Sequence, residues 1–297
     1  MSIWLTLLLF FILGAIVGSF LNVVIYRLPM MLQRTWHRDA AELLGHEVKL
    51  PVSNFKVFNL AFPQSHCPQC NHKLSLWQNI PLLSFILLKG KCAFCHKKIK
   101  LQYFIVELIS SISALLIGLH FGISWPGLAA LIFIWTLITI TFIDIEHLII
   151  PDSLNYLLLW SGLIVSTLHI FPFSNPISAI VGAIAGYAFL YTVATVFKLM
   201  AKKPGMGHGD FKLLAALGAW TGWQMLIFII LISSVFALTY GVGNLLQRKP
   251  NSRTPAHRLP FQHKGIIVPF GPFLAIGGLF ALFFHEPILY YYWHMAI

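Results

Sequence analysis

Acidic residues are scarce in this sequence. Nine Asp and Glu residues stand against twenty Lys and Arg in 297 positions, and the four residue types together make up only 10%. A soluble domain carries about 25%, so there is too little charge here to wet a globular surface. Cysteine is scarcer still, at four, and because all four lie in a segment expected in the cytosol, where thiols stay reduced, disulfides are not expected. Basic residues are missing ahead of the first apolar run, the reverse of a secretory signal, so that run is expected to be retained with its N-terminus outside. There is no G-x-x-x-x-G-K-[ST] phosphate loop, no H-E-x-x-H and no G-x-S-x-G, which removes the usual zinc-protease and serine-hydrolase signatures. No internal repeat and no low-complexity tract is visible.

What is abundant is apolar: 58% of the residues. Apolar stretches that can cross roughly 30 Å of hydrocarbon fall at 3–26, 103–121, 127–143, 154–171, 177–197, 223–246 and 265–284, and a shorter one at 211–220 makes an eighth crossing. The twenty basic residues are confined to 27–100, 198–212 and 248–264. Eight crossings put all three segments on one side, which the positive-inside rule makes the cytoplasm. The positive charge is thus topological, and a nucleic-acid partner is not expected. The count of eight requires 211–246 to be two passes, the first of them spanning only about 15 Å, with Gly218, Thr221 and Gly222 providing the break. The sequence predicts an all-α integral membrane protein of about eight transmembrane helices with a cytosolic zinc-binding loop after the first. Its parts are a first helix (1–26), a cytosolic module (27–102) and a seven-helix catalytic bundle (103–297).

The module is small for a self-sufficient core, so a metal staple is physically useful. Cys67-Pro-Gln-Cys70 and Cys92-Ala-Phe-Cys95 are two C-x-x-C turns separated by 21 residues. Two such turns can close a tetrahedral thiolate shell at metal–sulfur distances of about 2.3 Å. Thiol redox chemistry and unligated thiols are the competing readings; the first lacks a βαβ context. A Cys₄ shell has no open position, so the expected Zn²⁺ is structural. His66, His72 and His96 flank the turns and are expected at the surface.

Of the acids, Asp39, Glu42 and Glu47 lie in the module and Glu286 beyond the last span. Glu107, Asp144, Glu146, Asp152 and Asp210 lie near the membrane, where an ionised side chain costs several kcal/mol. Asp144 ends the third span and Asp210 opens the sixth after Gly205-Met206-Gly207-His208-Gly209, so both are expected at one depth, near the cytoplasmic boundary. The glycines are expected to allow tight packing or positive φ. Two neighbouring carboxyls would share a proton, one acting as base toward a water that attacks a peptide carbonyl. The plainer reading makes each a helix cap or interfacial residue. Glu107 is expected to meet helix backbone, Lys100 or the dyad, and Asp152, after Pro151, to start a helix.

Taken together, several motifs are similar to those of the type IV prepilin peptidase family over nearly the whole chain. They are Gly18-Ser19-Phe20-Leu21-Asn22-Val23-Val24-Ile25-Tyr26-Arg27-Leu28-Pro29, the cysteine module with Asn79-Ile80-Pro81-Leu82-Leu83-Ser84, Asp144 with Pro151-Asp152, and Gly207-His208-Gly209-Asp210-Phe211-Lys212. The resemblance implies an inner-membrane aspartic endopeptidase with Asp144 and Asp210 catalytic. It implies as partners type IV prepilin or pseudopilin precursors presented from the lipid bilayer, cut between Gly and Phe. It further implies methylation of the new N-terminus with S-adenosylmethionine, for which no cofactor-binding residue can be named. A peptidase without methyltransferase activity, and a zinc-stapled scaffold of a pilus or secretion assembly, are the alternatives. His208 stands where relatives often carry an apolar residue.

Overall fold

A computed structural model of the chain describes residues 3–45, 58–67, 69–75, 77–171, 175–203, 205–247, 268–285 and 287. The expected linker 248–264, Glu47 and Glu286 lie outside the described residues. Among the described residues there are helices and two isolated bridges, His66 with Lys73 and Lys91 with Lys98, and no strand. Five of the described helices are long and apolar enough to cross a membrane, by length and composition. The chain divides into two compact units, Met1–Leu154 and Asn155–Ile297.

In the first unit α1 runs Ile3–Leu44 with Pro29 inside it. The sequence reading ended the helix at residue 26 and began a loop; instead the helix carries through residues 27–44. That stretch is rich in Leu, Met, Arg, Gln, Glu and Ala, whose helix propensities offset the one hydrogen bond that Pro29 removes. The short α2 (Leu83–Leu87) lies in the module, and α3 (Leu101–Phe121) follows it. α1 and α3 are antiparallel neighbours. A Cβ on Gly14 would meet the Ser110 carbonyl oxygen at 2.6 Å, one on Gly18 the Glu107 Cα at 2.8 Å, and one on Gly118 the Phe10 ring at 2.6 Å. Small residues at this spacing bring membrane helices to backbone contact. The Ser110 hydroxyl donates to the Gly14 carbonyl (2.7 Å) and the Asn22 amide to that of Tyr103 (2.9 Å), so the seam is hydrogen-bonded as well as tight.

α4 (Trp125–His147) is capped by Ser124, whose hydroxyl accepts from the Gly127 N–H (3.2 Å), with proline in its first turn. It ends at Leu148 in the left-handed conformation (φ 55°), whose N–H donates to the Asp144 carbonyl. The unit boundary falls in the first turn of α5 (Asp152–Thr167), which begins at Asp152 as expected.

The second unit holds the rest of α5 with α6 (Pro176–Ala201), α7 (His208–Thr221), α8 (Leu226–Gln247) and α9 (Gly271–Phe283). α7 has 14 residues and is buried from Asp210 to Thr221 at every position except Lys212. A helix buried all round is a core helix. The break after it is Gly222, at φ +79°, which favours glycine. Gly218, expected in the break, instead serves helix packing. It and Gly182 of α6 are so close that a Cβ on either would collide with the other's carbonyl, and a Cβ on Gly186 would meet the Leu214 carbonyl oxygen at 2.7 Å. Trp220 Nε1–H donates to the Leu158 carbonyl (2.7 Å), its ring lying against Gly162. The α8–α9 pair closes through Ser233, whose hydroxyl bonds the Phe273 carbonyl at 2.9 Å.

Candidate metal centre and buried acids

The two cysteine turns fold alike. The Cys67 carbonyl accepts from the Asn71 N–H (2.9 Å) and the Cys92 carbonyl from the His96 N–H (3.0 Å). Asn71 and His96 both take positive φ, 57° and 53°, turning the chain back so that His66 bridges Lys73 and Lys91 bridges Lys98. The result gathers all four sulfurs within 4.8 Å of one another, with Cys67 and Cys95 at 3.9 Å. A tetrahedron with metal–sulfur bonds of about 2.3 Å has edges of roughly 3.8 Å, so the four thiols fit one metal ion. Without the ion, backbone N–H groups of Cys95 and Phe94 draw the Cys92 thiol down to about 6. Cys70 is pushed up to about 11. There the lowering hydrogen bond from the His72 backbone is outweighed by desolvation and by the other three sulfurs. His72 stacks on Phe94 at 3.5 Å between centroids, and it and His96 are exposed.

The module is tied to the membrane helices by two contacts that sequence reasoning missed in whole or in part. The buried Arg27 of α1 spreads its guanidinium over three carbonyls, Asn59 (3.0 Å), Leu60 (3.2 Å) and Pro63 (2.6 Å). An arginine in an apolar helix end signals only a boundary; the carbonyls it serves lie some thirty residues away, beyond any local pattern. Glu107 of α3 accepts the N–H of Leu82 at 2.8 Å, and Leu82 itself stands at φ 58°. Lys100 pairs with Glu146 at 3.0 Å and not with Glu107.

Asp144 lies in the last turn of α4 and is buried, at 5% exposure. Asp210 lies in the first turn of α7, at 9%. Each belongs to a different unit. The Asp210 N–H reaches the carbonyl of Gly207, which caps α7 with φ −77°, so positive φ is not used there. The Asp210 carboxylate turns back toward this cap, its Oδ2 lying 3.5 Å from where a Gly207 Cβ would stand. Gly205 fulfils the tight-packing expectation, against the Phe197 ring. Asn155, singled out by nothing in the sequence, donates its amide to the Gly209 carbonyl (3.1 Å) and is 1% exposed. Phe211 is ringed edge-on by Tyr187, Tyr191 and His208.

Fold and site together define a multi-pass helical membrane protein with a four-thiol metal-binding module and buried carboxyls at helix ends. Residues 12–121 match the bacterial peptidase A24 N-terminal domain, and residues 131–242 match the type IV leader peptidase family. The chain is 43% identical over 286 residues to the prepilin leader peptidase/N-methyltransferase of Stutzerimonas stutzeri, covering 96% of this chain and 93% of that one. It is 42% identical over 285 residues to the protein of the same name in Pseudomonas aeruginosa, covering 96% and 92%. With that in Aeromonas salmonicida the figure is 40% over 290 residues, covering 97% and 94%. The chain therefore belongs to the type IV leader peptidase family and is an enzyme. No solved structure matches it.

Proposed function

We infer that the protein cuts the basic leader from type IV prepilins and pilin-like secretion precursors at a Gly–Phe junction, using Asp144 and Asp210 as an aspartic pair, and then methylates the new N-terminus. The observation that carries the peptidase half is the pairing of burial with position. Two carboxyls, each under a tenth exposed, terminate apolar helices, where a lone charge is costly and a shared proton is not. In the ionised and protonated pair, the carboxylate takes a proton from water as its oxygen bonds the scissile carbonyl carbon. The protonated acid donates to the carbonyl oxygen. Collapse of the resulting gem-diol breaks the C–N bond and returns a proton to the departing amine. Asn155, through Gly209, would hold the backbone that aims Asp210.

Topology supports this substrate. The three shorter helices α5, α7 and α9 complete eight crossings with the five longer ones, leaving the basic loops in the cytoplasm and both termini periplasmic. The bond between a basic leader and an apolar pilin helix then arrives at the cytoplasmic boundary. The division into a first helix, a 27–102 module and a 103–297 bundle follows that membrane boundary. The ion at Cys67, Cys70, Cys92 and Cys95 is Zn²⁺, closed off and structural. When bound, S-adenosylmethionine would supply an electrophilic methyl group to the new N-terminal amine, which must give up a proton to accept it.

The test is mass spectrometry of a synthetic precursor incubated with purified protein in lipid nanodiscs. Cleavage after Gly, with a one-methyl mass gain only when S-adenosylmethionine is added, is the expected result. Cleavage with no methyl gain would leave a peptidase alone, and no cleavage would overturn the assignment of this substrate and junction.

A further inference from the structure

The first unit contains a cavity of about 650 Å³ beneath the cysteine turns, bounded by α1, α3 and the loop before α2. Pockets for drug-sized ligands run about 300–1,000 Å³. Its walls are mostly apolar, with Tyr26, Phe58, Phe85 and Tyr103 contributing aromatic rings, and Cys67 and Cys92 lie at the metal end. Its polar groups are few: Ser19, Asn22, Arg27 and Glu107 among them. Asn22 and Arg27 are committed to backbone carbonyls.

Glu107 is the anomaly. It sits in an apolar helix packed at backbone distance against Gly18 of α1. It accepts hydrogen bonds from the Leu82 N–H and the Ser19 side chain, and among the described residues no Lys or Arg forms an ion pair with it; the ion pairs seen there run through Glu146. A carboxylate has about four acceptor positions, and two bonds to neutral donors leave its charge uncompensated at membrane depth. Arg27, the cation in the same lining, is turned to the carbonyls of Asn59, Leu60 and Pro63, so an acid without an ion pair in a cavity of ligand size suits a ligand that brings a positive charge. Flat aromatic walls suit a planar base.

We propose that this cavity holds the sulfonium methyl donor, S-adenosylmethionine, with Glu107 supplying the negative charge that offsets its sulfur. The proposal rests on the methyl-transfer reading above and adds where the donor sits. It also explains why methyl donation needs no Rossmann fold: the walls are two membrane helices and a metal-held loop.

The charge makes a specific prediction. S-adenosylmethionine is a cation at sulfur, whereas its demethylated product, S-adenosylhomocysteine, is a neutral thioether of nearly the same shape. Calorimetric titration of the full-length protein in nanodiscs should give Glu107→Gln about tenfold or more weaker binding of S-adenosylmethionine, with the homocysteine form changed by less than about threefold. Gln keeps an acceptor for the Leu82 N–H, so the loop stays pinned; zinc content reports this directly. A second measurement uses only the wild type: ultraviolet crosslinking of methyl-labelled S-adenosylmethionine should mark peptides within 16–30 or 99–107. A product peptide with a free N-terminal Phe is titrated alongside, since its ammonium is the other cation available. Equal loss of both nucleosides, loss for the peptide alone, or a label mapped elsewhere would overturn the cavity assignment and leave methyl transfer standing. A wild type that neither binds S-adenosylmethionine nor methylates the product would overturn both.

Discussion

The seam between α6 and α7 is the part of the second unit least able to absorb a change. A Cβ placed on Gly182 would overlap the carbonyl oxygen of Gly218 and stand 2.9 Å from the Gly218 carbonyl carbon and 3.0 Å from that of Gly222. These are backbone atoms, so no rotamer can turn aside, and the helices must part locally by roughly 1 Å to restore ordinary contact. Overpacking of this kind costs about 1–3 kcal/mol, and the absence of a flexible neighbour puts Gly182→Ala at about 3 kcal/mol. The same substitution at Gly243 of α8, where nothing lies within 4 Å, should be neutral or stabilising by up to about 1 kcal/mol, since alanine is the better helix former. In thermal unfolding in detergent, Gly182→Ala should lower the midpoint by roughly 5 °C or more while Gly243→Ala does not. Because α7 carries Asp210 at its start, a shift of about 1 Å should also reduce cleavage up to about 100-fold. Equal midpoints for the two variants would refute the claim that backbone contact at this seam is what holds α7.

Other positions give further tests. Arg27→Met strands three carbonyls now served by one guanidinium and should cost about 2–4 kcal/mol in docking of the module, read as faster protease nicking near residues 58–65; lysine should rescue only partly, lacking the fork. Cys70→Ser, or a strong chelator, withdraws a binding free energy of about 10–16 kcal/mol from the module, so metal content should fall and the module open. Peptide cleavage should fall far less than methylation. Trp220→Phe removes the indole bond to the Leu158 carbonyl and should cost about 1–2 kcal/mol, seen as a lowered unfolding midpoint.

The metal site was legible because its whole logic is local: a C-x-x-C turn needs only the few residues between its thiols, and two such turns sufficed to specify four ligands that the fold does gather. The break at Gly222 was legible because glycine takes the φ of +79° found there without strain. Gly218 was misassigned because a glycine in an apolar run looks the same whether it bends the chain or admits another helix; only Gly182, far off in sequence, decides. The continuation of α1 past residue 26 is not legible in hydropathy, because a fall in hydropathy marks only where an apolar surface stops, not where a helix ends. Glu107, Arg27 and Asn155 stood in plain sight as residues, but their partners Leu82, Pro63 and Gly209 are set by tertiary packing that no periodicity encodes.

Wild type, Asp144→Asn and Asp210→Asn, each shown to insert and melt normally, should be compared for initial rates of precursor cleavage in the same lipid. If Asp144 and Asp210 act together on the scissile bond, either substitution alone abolishes cleavage, with losses of about 1,000-fold or more that do not add in the double variant. Cleavage that persists in either single variant near the wild-type rate would mean that the two carboxyls do not form one catalytic unit.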